Sequence, residues 1–274
     1  MTAVKGRRFW KMSGSGNDFV FFDGRTDSVQ GLDLPDAIRR ICSRTRGVGA
    51  DGVVFLEASA SEPFGIRYYN SDGSRGELCG NASLCTSSLA VKLGLVAEDG
   101  FQFSTDVGSL RARLASGEPE IDLQAPRGLR ANAGMALEAG EARIGFVDTG
   151  VPHLVVLTAD ADQAPVVRRG AELRRHASLP AGANVNFLSP AGAEWRMRTY
   201  ERGVEGETLA CGTGAVACAV LLRDWGLATG YATRLRTSSG LLLTVTIATG
   251  ADGAIRPSLR GEGRIVFEGE LVDL

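Results

Sequence analysis

Two cysteines occupy matching positions in two similar stretches of the sequence. Cys79 opens a stretch that runs to Gly94, and Cys211 opens a stretch of equal length that runs to Gly226. Each cysteine is followed by glycine, and a glutamate precedes each by a few positions. Because a thiol can both remove and deliver a proton, two matched thiols indicate acid–base chemistry on two sides of one substrate.

The two stretches are predicted to be helices that begin at the cysteines. The first backbone N–H groups of a helix lack partners within it, and the macrodipole places about half a positive charge there. A thiol at that position is expected to have a lowered pKa, and the same N–H groups can bind a carboxylate. One thiolate would remove the α-proton of a small amino acid. The opposite thiol would return a proton to the other face and so invert the stereocentre.

The same spacing relates residues outside the helices. Further pairs recur at an offset of 132 positions, which is the separation of Cys79 and Cys211. A repeat of that length is a domain rather than a unit of a solenoid, so the chain is predicted to contain two related halves. The pairs are Phe55 and Phe187, Thr105 and Thr237, and Gly108 and Gly240.

Each half is predicted to be an α+β unit rich in strands. Helices are expected at 35–42, 79–93 and 166–176, with a fourth after Cys211, and Asp33 is the expected N-cap of the first. β-branched and aromatic runs separated by glycine turns predict the strands. These strands are 8–10, 19–22, 52–56, 66–69, 101–104, 109–114, 143–148, 184–188 and 195–200, followed by a hairpin over 233–247.

The length of 274 residues fits two domains. The predicted N-terminal half covers residues 1–128 and carries Cys79. The predicted C-terminal half covers residues 129–263 and carries Cys211. A polar segment with several glycines, 126–140, is the expected linker.

Composition excludes several classes of partner. A net charge of −2 gives no indication of nucleic-acid or membrane binding. No apolar segment typical of a signal peptide follows the first residue, and the longest apolar run, 215–222, is too short to span a bilayer. Five cysteines with no Cys-x-x-Cys pair favour reduced thiols in the cytoplasm over a disulfide framework.

Other readings of the cysteines and of the glycine loop are weaker. Cys42, Cys85 and Cys218 are interpreted as small hydrophobic core residues. Cys79 and Cys211 could instead form a redox pair. Zinc is not expected, because the 2 histidines lack ligand spacing. No pyridoxal phosphate or nucleotide is expected either, since the lysines lie in no phosphate-binding context and the glycine loop at 13–17 lacks the phosphate-loop pattern.

Several short segments between residues 11 and 214 together form a specific pattern. They include Lys11-Met-Ser-Gly-Ser-Gly-Asn-Asp-Phe19, Leu78-Cys-Gly-Asn81 and Gly150-Val-Pro-His153. Through these segments the chain resembles the diaminopimelate epimerases, a family of cofactor-independent epimerases and racemases. The remaining matching segments are 47–52, 69–73, 184–187, 200–203 and 207–214.

The resemblance implies a fold and an assembly. Each of two similar domains would be a mixed sheet or barrel around a central helix, and two chains would form a homodimer. The last strand, about 264–271 within the segment 264–274, would be able to join the first domain. The small-molecule substrate would need no cofactor and no metal.

The resemblance also implies roles for particular residues. Cys79 and Cys211 would be the two acid–base thiols, with His153 and Glu201 tuning their pKa values. Arg202 would bind a second carboxylate of the substrate. Turn formation is the alternative role for the asparagines, above all at position 70. The remaining implied substrate-binding residues are Asn17, Asn70, Gly80, Asn81, Asn184, Glu201, Gly212 and Thr213.

Four positions depart from the common pattern of the family. Ser13 stands where a histidine is frequent, and Ala82 and Leu84 replace a usual glycine and arginine. Val151 replaces an asparagine that helps to read the distal end of the substrate in relatives. A valine side chain neither donates nor accepts a hydrogen bond. The sequence therefore indicates the two-thiol chemistry more firmly than it indicates diaminopimelate as the substrate.

The resulting expectation is an isomerase that converts LL-2,6-diaminopimelate into meso-diaminopimelate for lysine and peptidoglycan-precursor synthesis. One alternative is a cofactor-independent racemase of another amino acid on the same scaffold. A second alternative, from a different class, is a thiol redox or amino-acid-binding protein without turnover.

Overall fold

The computed structural model describes residues 6–250 and 253–274. These residues form two compact units. The first unit comprises residues 6–121 and 261–274, and the second comprises the described residues of 122–260. Residue 128, the predicted end of the first half, lies within a strand that pairs inside the second unit.

The first unit is a strand-rich sheet with two helices. Strands β18, β1, β2, β3 and β4 are neighbours in that order, and only β2 and β3 of these are parallel. Strand β4 also pairs with β5 and, in parallel, with β6, and β7 and β8 continue from β6. The elements are β1 (Arg7–Gly14), β2 (Asn17–Asp23), α1 (Pro35–Cys42), β3 (Gly52–Glu57), β4 (Gly65–Asn70), β5 (Arg75–Gly76), α2 (Gly80–Lys92), β6 (Phe101–Thr105), β7 (Gly108–Ala115), β8 (Glu118–Asp122) and β18 (Arg264–Leu271).

The second unit repeats this plan. Strands β9, β10, β11, β12 and β13 are neighbours, with β11 and β12 parallel, and β13 pairs in parallel with β15. Strands β16 and β17 continue from β15. The elements are β9 (Arg127–Arg130), β10 (Glu141–Asp148), β11 (Pro152–Thr158), α3 (Val166–Arg174), β12 (Asn184–Ala191), β13 (Glu194–Glu201), β14 (Gly206–Thr208), α4 (Gly212–Asp224), β15 (Ala232–Arg236), β16 (Leu242–Thr249) and β17 (Ile255–Arg260).

The matching topology confirms the duplication predicted from sequence. The parallel pairs are equivalent in the two units: β2 and β3 correspond to β11 and β12, and β4 and β6 correspond to β13 and β15, on either side of the helix that begins at the cysteine. Phe55 and Phe187, one of the matched pairs, are both buried in the cores beside α1 and α3. Strand β18 lies beside β1 in the place that β9 takes beside β10.

Helices α2 and α4 form the centres of their units. Each has 13 residues and is buried on nearly every side, α2 against β1, β2, β7 and β18, and α4 against β10, β11, β12, β16 and β17. Small and apolar residues on every face permit this burial. Gly94 and Gly226 follow the helix ends with φ of 69° and 71°, conformations that suit glycine. Among the described residues, no helix has the length and apolarity to cross a membrane.

Three local expectations need correction. Asp33 does not cap α1, because Leu34 holds the N-cap position without a side-chain hydrogen bond and Pro35 begins the helix. The Asp33 carboxylate instead accepts a hydrogen bond from Arg67. Helix α3 ends at Arg174 rather than His176. The predicted linker is not all irregular either, since it contains β9.

Candidate active site

Both cysteines hold the N-cap position of a central helix, as the sequence predicted. Cys79 is extended at φ −125° and ψ 116°, and its carbonyl accepts from the Ser83 N–H at 2.9 Å. Cys211 is extended at φ −138° and ψ 110°, and its carbonyl accepts from the Ala215 N–H at 3.0 Å. Neither thiol forms a capping hydrogen bond from its side chain. The Gly214 N–H acts on the Cys211 thiol, and the first N–H groups of a helix are in general able to bind an anion.

The helix starts also place the residues that follow the cysteines. Gly80 and Gly212 are the first helical residues, and Asn81 and Thr213 are the second. Gly80, Asn81 and Gly212 are buried, whereas Thr213 is half-buried. Their backbone positions fit the implied role as donors to a carboxylate.

A polar chain leads to Asn81 in the first unit. The Arg44 guanidinium donates to Asp51 Oδ1 at 2.7 Å, and the Asn17 amide donates to Asp51 Oδ2 at 2.9 Å. The Asn81 amide donates to Asn17 Oδ1 at 2.7 Å. Because a carboxylate only accepts, Asp51 fixes the orientation of both amides. Asn81 Oδ1 is buried and has no hydrogen-bond partner among the described residues.

Asn70 is held differently from Asn17. Its amide donates to Ser74 Oγ at 3.0 Å, and its Oδ1 accepts from the Tyr68 hydroxyl at 2.9 Å. Its backbone N–H is bonded to the Ser74 carbonyl within the predicted turn. Tyr68 and Cys79 line the same small pocket, so Tyr68 connects Asn70 with the region of the first thiol.

Cys211 is buried and is contacted by groups with opposite effects on its thiol. Burial is the largest cause of a pKa raised well above the ordinary value, and the charge of Glu201 raises the pKa further. The Thr213 hydroxyl, 3.6 Å from the sulfur, and the Gly214 N–H lower the pKa. The expectation of a lowered pKa was therefore wrong for Cys211, because desolvation exceeds the effect of the helix start.

His153 is buried beside Thr213. Its Nε2 lies 3.0 Å from the Thr213 hydroxyl, and its Nδ1 lies 3.2 Å from the amide nitrogen of Asn186. Burial, with a smaller contribution from the charge of Arg202, lowers the pKa of His153 from 6.5 to about 3. His153 is therefore a neutral hydrogen-bonding group near neutral pH rather than a cation.

Arg202 is hydrogen-bonded to the side chain of Asn184 and to the backbone of Ala181. The Asn184 side-chain oxygen accepts from the Arg202 backbone N–H at 2.8 Å. The Arg202 guanidinium donates to the Ala181 carbonyl at 2.9 Å and forms no ion pair within the described parts of the chain. Glu205 orders this loop, since its carboxylate accepts from Arg174 at 2.6 Å and from the Gly203 N–H.

The positions that depart from the family pattern have structural roles. The Ser13 hydroxyl donates to Glu262 at 2.8 Å, and Ala82 and Leu84 are buried on α2. Val151 is half-buried just before β11. The described residues contain no group of three side chains able to hold a metal ion.

Sequence reasoning missed Asn186, Asp51 and Arg44. Asn186 and Asp51 lie within the matching segments 184–187 and 47–52, but no role was assigned to either. A buried asparagine within an otherwise apolar strand is a usable signal, because burying an amide costs free energy unless it is hydrogen-bonded. Arg44 carries no comparable signal, since it is an exposed arginine and nothing in the local sequence marks Asp18 and Asp51 as its partners.

Comparison with known sequences assigns the family. The profile of a family described as diaminopimelate epimerase matches residues 9–125 and 145–255. A diaminopimelate epimerase of Gemmatimonas aurantiaca is 50% identical over 97% of this chain and 99% of its own length. The chain belongs to the diaminopimelate epimerase family. The resemblance inferred from the motifs is thus confirmed.

Solved structures agree on the fold of the family. A phenazine biosynthesis protein of the PhzF family from Bacillus anthracis aligns with a TM-score of 0.77 at 15% identity, covering 98% of this chain and 100% of that chain. A hydroxyproline epimerase from Agrobacterium vitis aligns with a TM-score of 0.70 at 19% identity, covering 100% and 95% of the two chains. At these identities the likeness concerns the fold alone.

Proposed function

We propose that this chain epimerises LL-2,6-diaminopimelate to meso-diaminopimelate, with Cys79 and Cys211 as the two acid–base groups. The observation that carries the proposal is the placement of both cysteines at the N-caps of two equivalent buried helices, in a chain 50% identical to a named epimerase. The reaction would serve lysine and peptidoglycan-precursor synthesis.

The reaction begins with a thiolate that removes the α-proton of one stereocentre. The carbanion that forms is stabilised through the α-carboxylate by N–H groups of Gly80, Asn81, Gly212 and Thr213. The thiol of the other cysteine then delivers its proton to the opposite face of the carbon. One proton leaves and one arrives, so the product differs from the substrate only in configuration.

The surroundings of Cys211 suit both steps. The Glu201 carboxylate favours the protonated thiol, whereas the Thr213 hydroxyl and the Gly214 N–H favour the thiolate. Because burial is the largest influence, the protonated thiol is the favoured form, and the two thiolate-stabilising groups lower the free energy of forming the thiolate that a proton-accepting step requires. Glu201 thus acts through the thiol, and it would contact the substrate as well.

The remaining polar groups would orient the substrate. Arg202, which forms no ion pair among the described residues, would bind the distal carboxylate. The unpartnered Asn81 Oδ1 would accept from a substrate ammonium group. Asn17, Asn70 and Asn184 complete the proposed binding set. We also propose that the enzyme is a cytoplasmic homodimer that needs no cofactor or metal.

A panel of hydrogen-exchange reactions in heavy water tests the function. LL- and meso-diaminopimelate should exchange their α-hydrogens and interconvert with the reduced protein alone. Arg202→Ala should raise KM for diaminopimelate because one carboxylate loses its partner. Exchange retained in the Cys79→Ala/Cys211→Ala protein would defeat the assignment of the thiols.

The absence of a side-chain hydrogen bond at Val151 supports one alternative, which is racemisation of a different amino acid on the same scaffold. The same panel includes the common amino acids. Exchange with a monocarboxylic amino acid, and none with diaminopimelate, would select the alternative. No exchange with any amino acid would favour a thiol protein without turnover.

A further inference from the structure

Asn186, on β12, is linked to the second thiol through the side chains of His153 and Thr213. The side chain is buried, and all of its hydrogen bonds are to groups of the second unit. Its amide nitrogen lies 2.9 Å from the Leu154 carbonyl and 3.2 Å from His153 Nδ1. Its Oδ1 accepts from the Thr199 hydroxyl at 2.9 Å.

The Leu154 carbonyl fixes the orientation of the Asn186 amide. A carbonyl oxygen only accepts hydrogen bonds, so the group that faces it must be the NH₂ and not the oxygen. Thr199 supports the same orientation, because its hydroxyl can donate to the Oδ1 on the other side. The second hydrogen of the NH₂ group is thereby directed to His153 Nδ1.

The orientation of the amide determines which nitrogen of His153 carries the proton. A neutral imidazole has one donor and one acceptor nitrogen, and Nδ1 must accept because it faces a donor. The proton therefore resides on Nε2, which donates to the Thr213 hydroxyl at 3.0 Å. Burial of the ring favours this neutral form over the imidazolium.

The Thr213 hydroxyl then has its own hydrogen left to donate. Its oxygen accepts from His153, and Cys211 Sγ at 3.6 Å is its other hydrogen-bond partner. A hydroxyl that donates to the sulfur stabilises the thiolate more than the thiol. With the opposite histidine tautomer, Nε2 would accept, and the hydroxyl would turn away from the sulfur.

The first turn of α4 packs closely against the Asn186 amide. A Cβ at Gly214 would overlap Asn186 Oδ1 and lie 3.0 Å from Met197 Cε. Glycine at this position therefore lets α4 approach β12 closely enough for the chain from Asn186 to Cys211 to form.

We propose that Asn186 is a positioning residue that holds His153 in the Nε2–H tautomer, so that the Thr213 hydroxyl donates to Cys211. The role in catalysis rests on the proposed function of Cys211, whereas the tautomer does not. Asn186 thus contributes to proton transfer through two intervening side chains.

The tautomer is measured directly by ¹⁵N NMR of histidine-labelled protein. The chain has 2 histidines, and the exposed His176→Gln variant leaves the signals of His153 alone. At neutral pH the native protein should show a protonated Nε2 and an unprotonated Nδ1. A protonated Nδ1 in the native protein overturns the proposal without any variant of Asn186.

Two variants separate positioning from simple structural support. Asn186→Leu removes the donor to His153, and we expect mixed tautomers and a kcat lower by about 10- to 100-fold. Thr199→Val removes a different hydrogen bond of Asn186 in the same buried region and keeps the bond to the Leu154 carbonyl that orients the amide, so we expect the Nε2–H tautomer and a kcat within about twofold of native. Equal losses in both variants would show that only the packing matters.

Thr213 provides the final test. Thr213→Val removes the hydroxyl and should lower kcat, whereas Thr213→Ser should restore it. In the Asn186→Leu protein, Thr213→Val should add little, because the hydroxyl no longer donates to the sulfur. Additive losses overturn the proposal. An inactive native protein with the Nε2–H tautomer would instead contradict the proposed function and leave the tautomer assignment intact.

Discussion

The two helix starts share a fold but differ in the direction of their hydrogen bonds. In the first unit the amides of Asn81 and Asn17 donate away from α2 towards Asp51. In the second unit Asn186 donates to His153, and the chain continues towards α4. A carboxylate ends the first chain, and a thiol ends the second.

Equivalent strand positions explain this difference. The third residue of β3 is Val54, which pairs with Tyr68, and the third residue of β12 is Asn186, which pairs with Thr199. Val54 is apolar and has no side-chain hydrogen bonds to offer, so the first unit draws its polar chain from Asp51 instead. Duplication therefore conserves the helix start while each unit builds its own polar support.

The largest expected effect comes from removing one thiol at a time. Cys79→Ala and Cys211→Ala should each lower the rate of epimerisation by about 10³-fold or more, because inversion needs a proton carrier on each face. Stereospecific loss of α-deuterium from LL- and meso-diaminopimelate checks this. Epimerisation near the native rate in either variant would show that the two sites are not both required.

The next largest effect is on the pH dependence of stability, and it comes from His153 in the second unit. An unfolded histidine binds a proton below pH about 6.5, whereas the pKa of folded His153 is lowered to about 3. The contribution of neutral His153 to the free energy of unfolding is fully present at pH 7. It is lost as the pH falls from about 6.5 towards 3, because the unfolded histidine then binds a proton that the folded one does not. We expect the native protein to lose about 3 kcal/mol more between pH 7 and pH 4 than His153→Gln does.

Urea unfolding at the two pH values measures this difference. Carboxylates titrate in the same range in both proteins, so only the difference between them reports on His153. His176→Gln removes the other histidine, at an exposed position, and should behave as the native protein does. Identical pH dependence in native and His153→Gln protein would contradict a buried neutral His153.

Local signals made the fold and the two thiols predictable. Pro35 marked the start of α1, and the Cys-Gly pairs and the later glycines marked both ends of α2 and α4. These signals act within one or two turns of chain. The repeated offset then related the two units without any knowledge of their packing.

The surroundings of the thiols were not predictable in the same way. The pKa of Cys211 depends on burial and on Glu201, and the state of His153 depends on Asn186 from a neighbouring strand. The contact between His153 and Asn186 joins residues 33 positions apart, and the burial of Cys211 depends on how several strands pack around α4. Asp33 shows the same limit, because Arg67 takes the carboxylate that was expected to cap a helix.

A smaller effect tests whether the glycine of the second helix start is required by Asn186. Gly214→Ala should cost about 1–3 kcal/mol of unfolding free energy, because the added Cβ overlaps Asn186 Oδ1. Asn186→Val introduces the residue type found at the equivalent position of the first unit, Val54. In the Asn186→Val protein, Gly214→Ala should therefore lower the free energy of unfolding by a smaller amount. Urea unfolding of the two single variants and the double variant gives the coupling energy.

The first unit supplies the matched control. Ala82 follows Cys79 as Gly214 follows Cys211, and it is buried at the matching position of α2. Ala82→Gly should cost no more than about 1 kcal/mol, the difference in helix propensity. Additive effects of Gly214→Ala and Asn186→Val would show that Asn186 does not set the requirement for glycine.

The smallest effect compares the reactivity of the two thiols. Cys79 is half-buried and lines a pocket, whereas Cys211 is 7% exposed and has a raised pKa. Since the thiolate is the reactive form, iodoacetamide at pH 8 should modify Cys79 about tenfold faster. Peptide mass spectrometry of timed samples measures both rates. Cys42, Cys85 and Cys218 are buried with raised pKa values and serve as internal references. Faster modification of Cys211 would mean that the helix start outweighs burial after all.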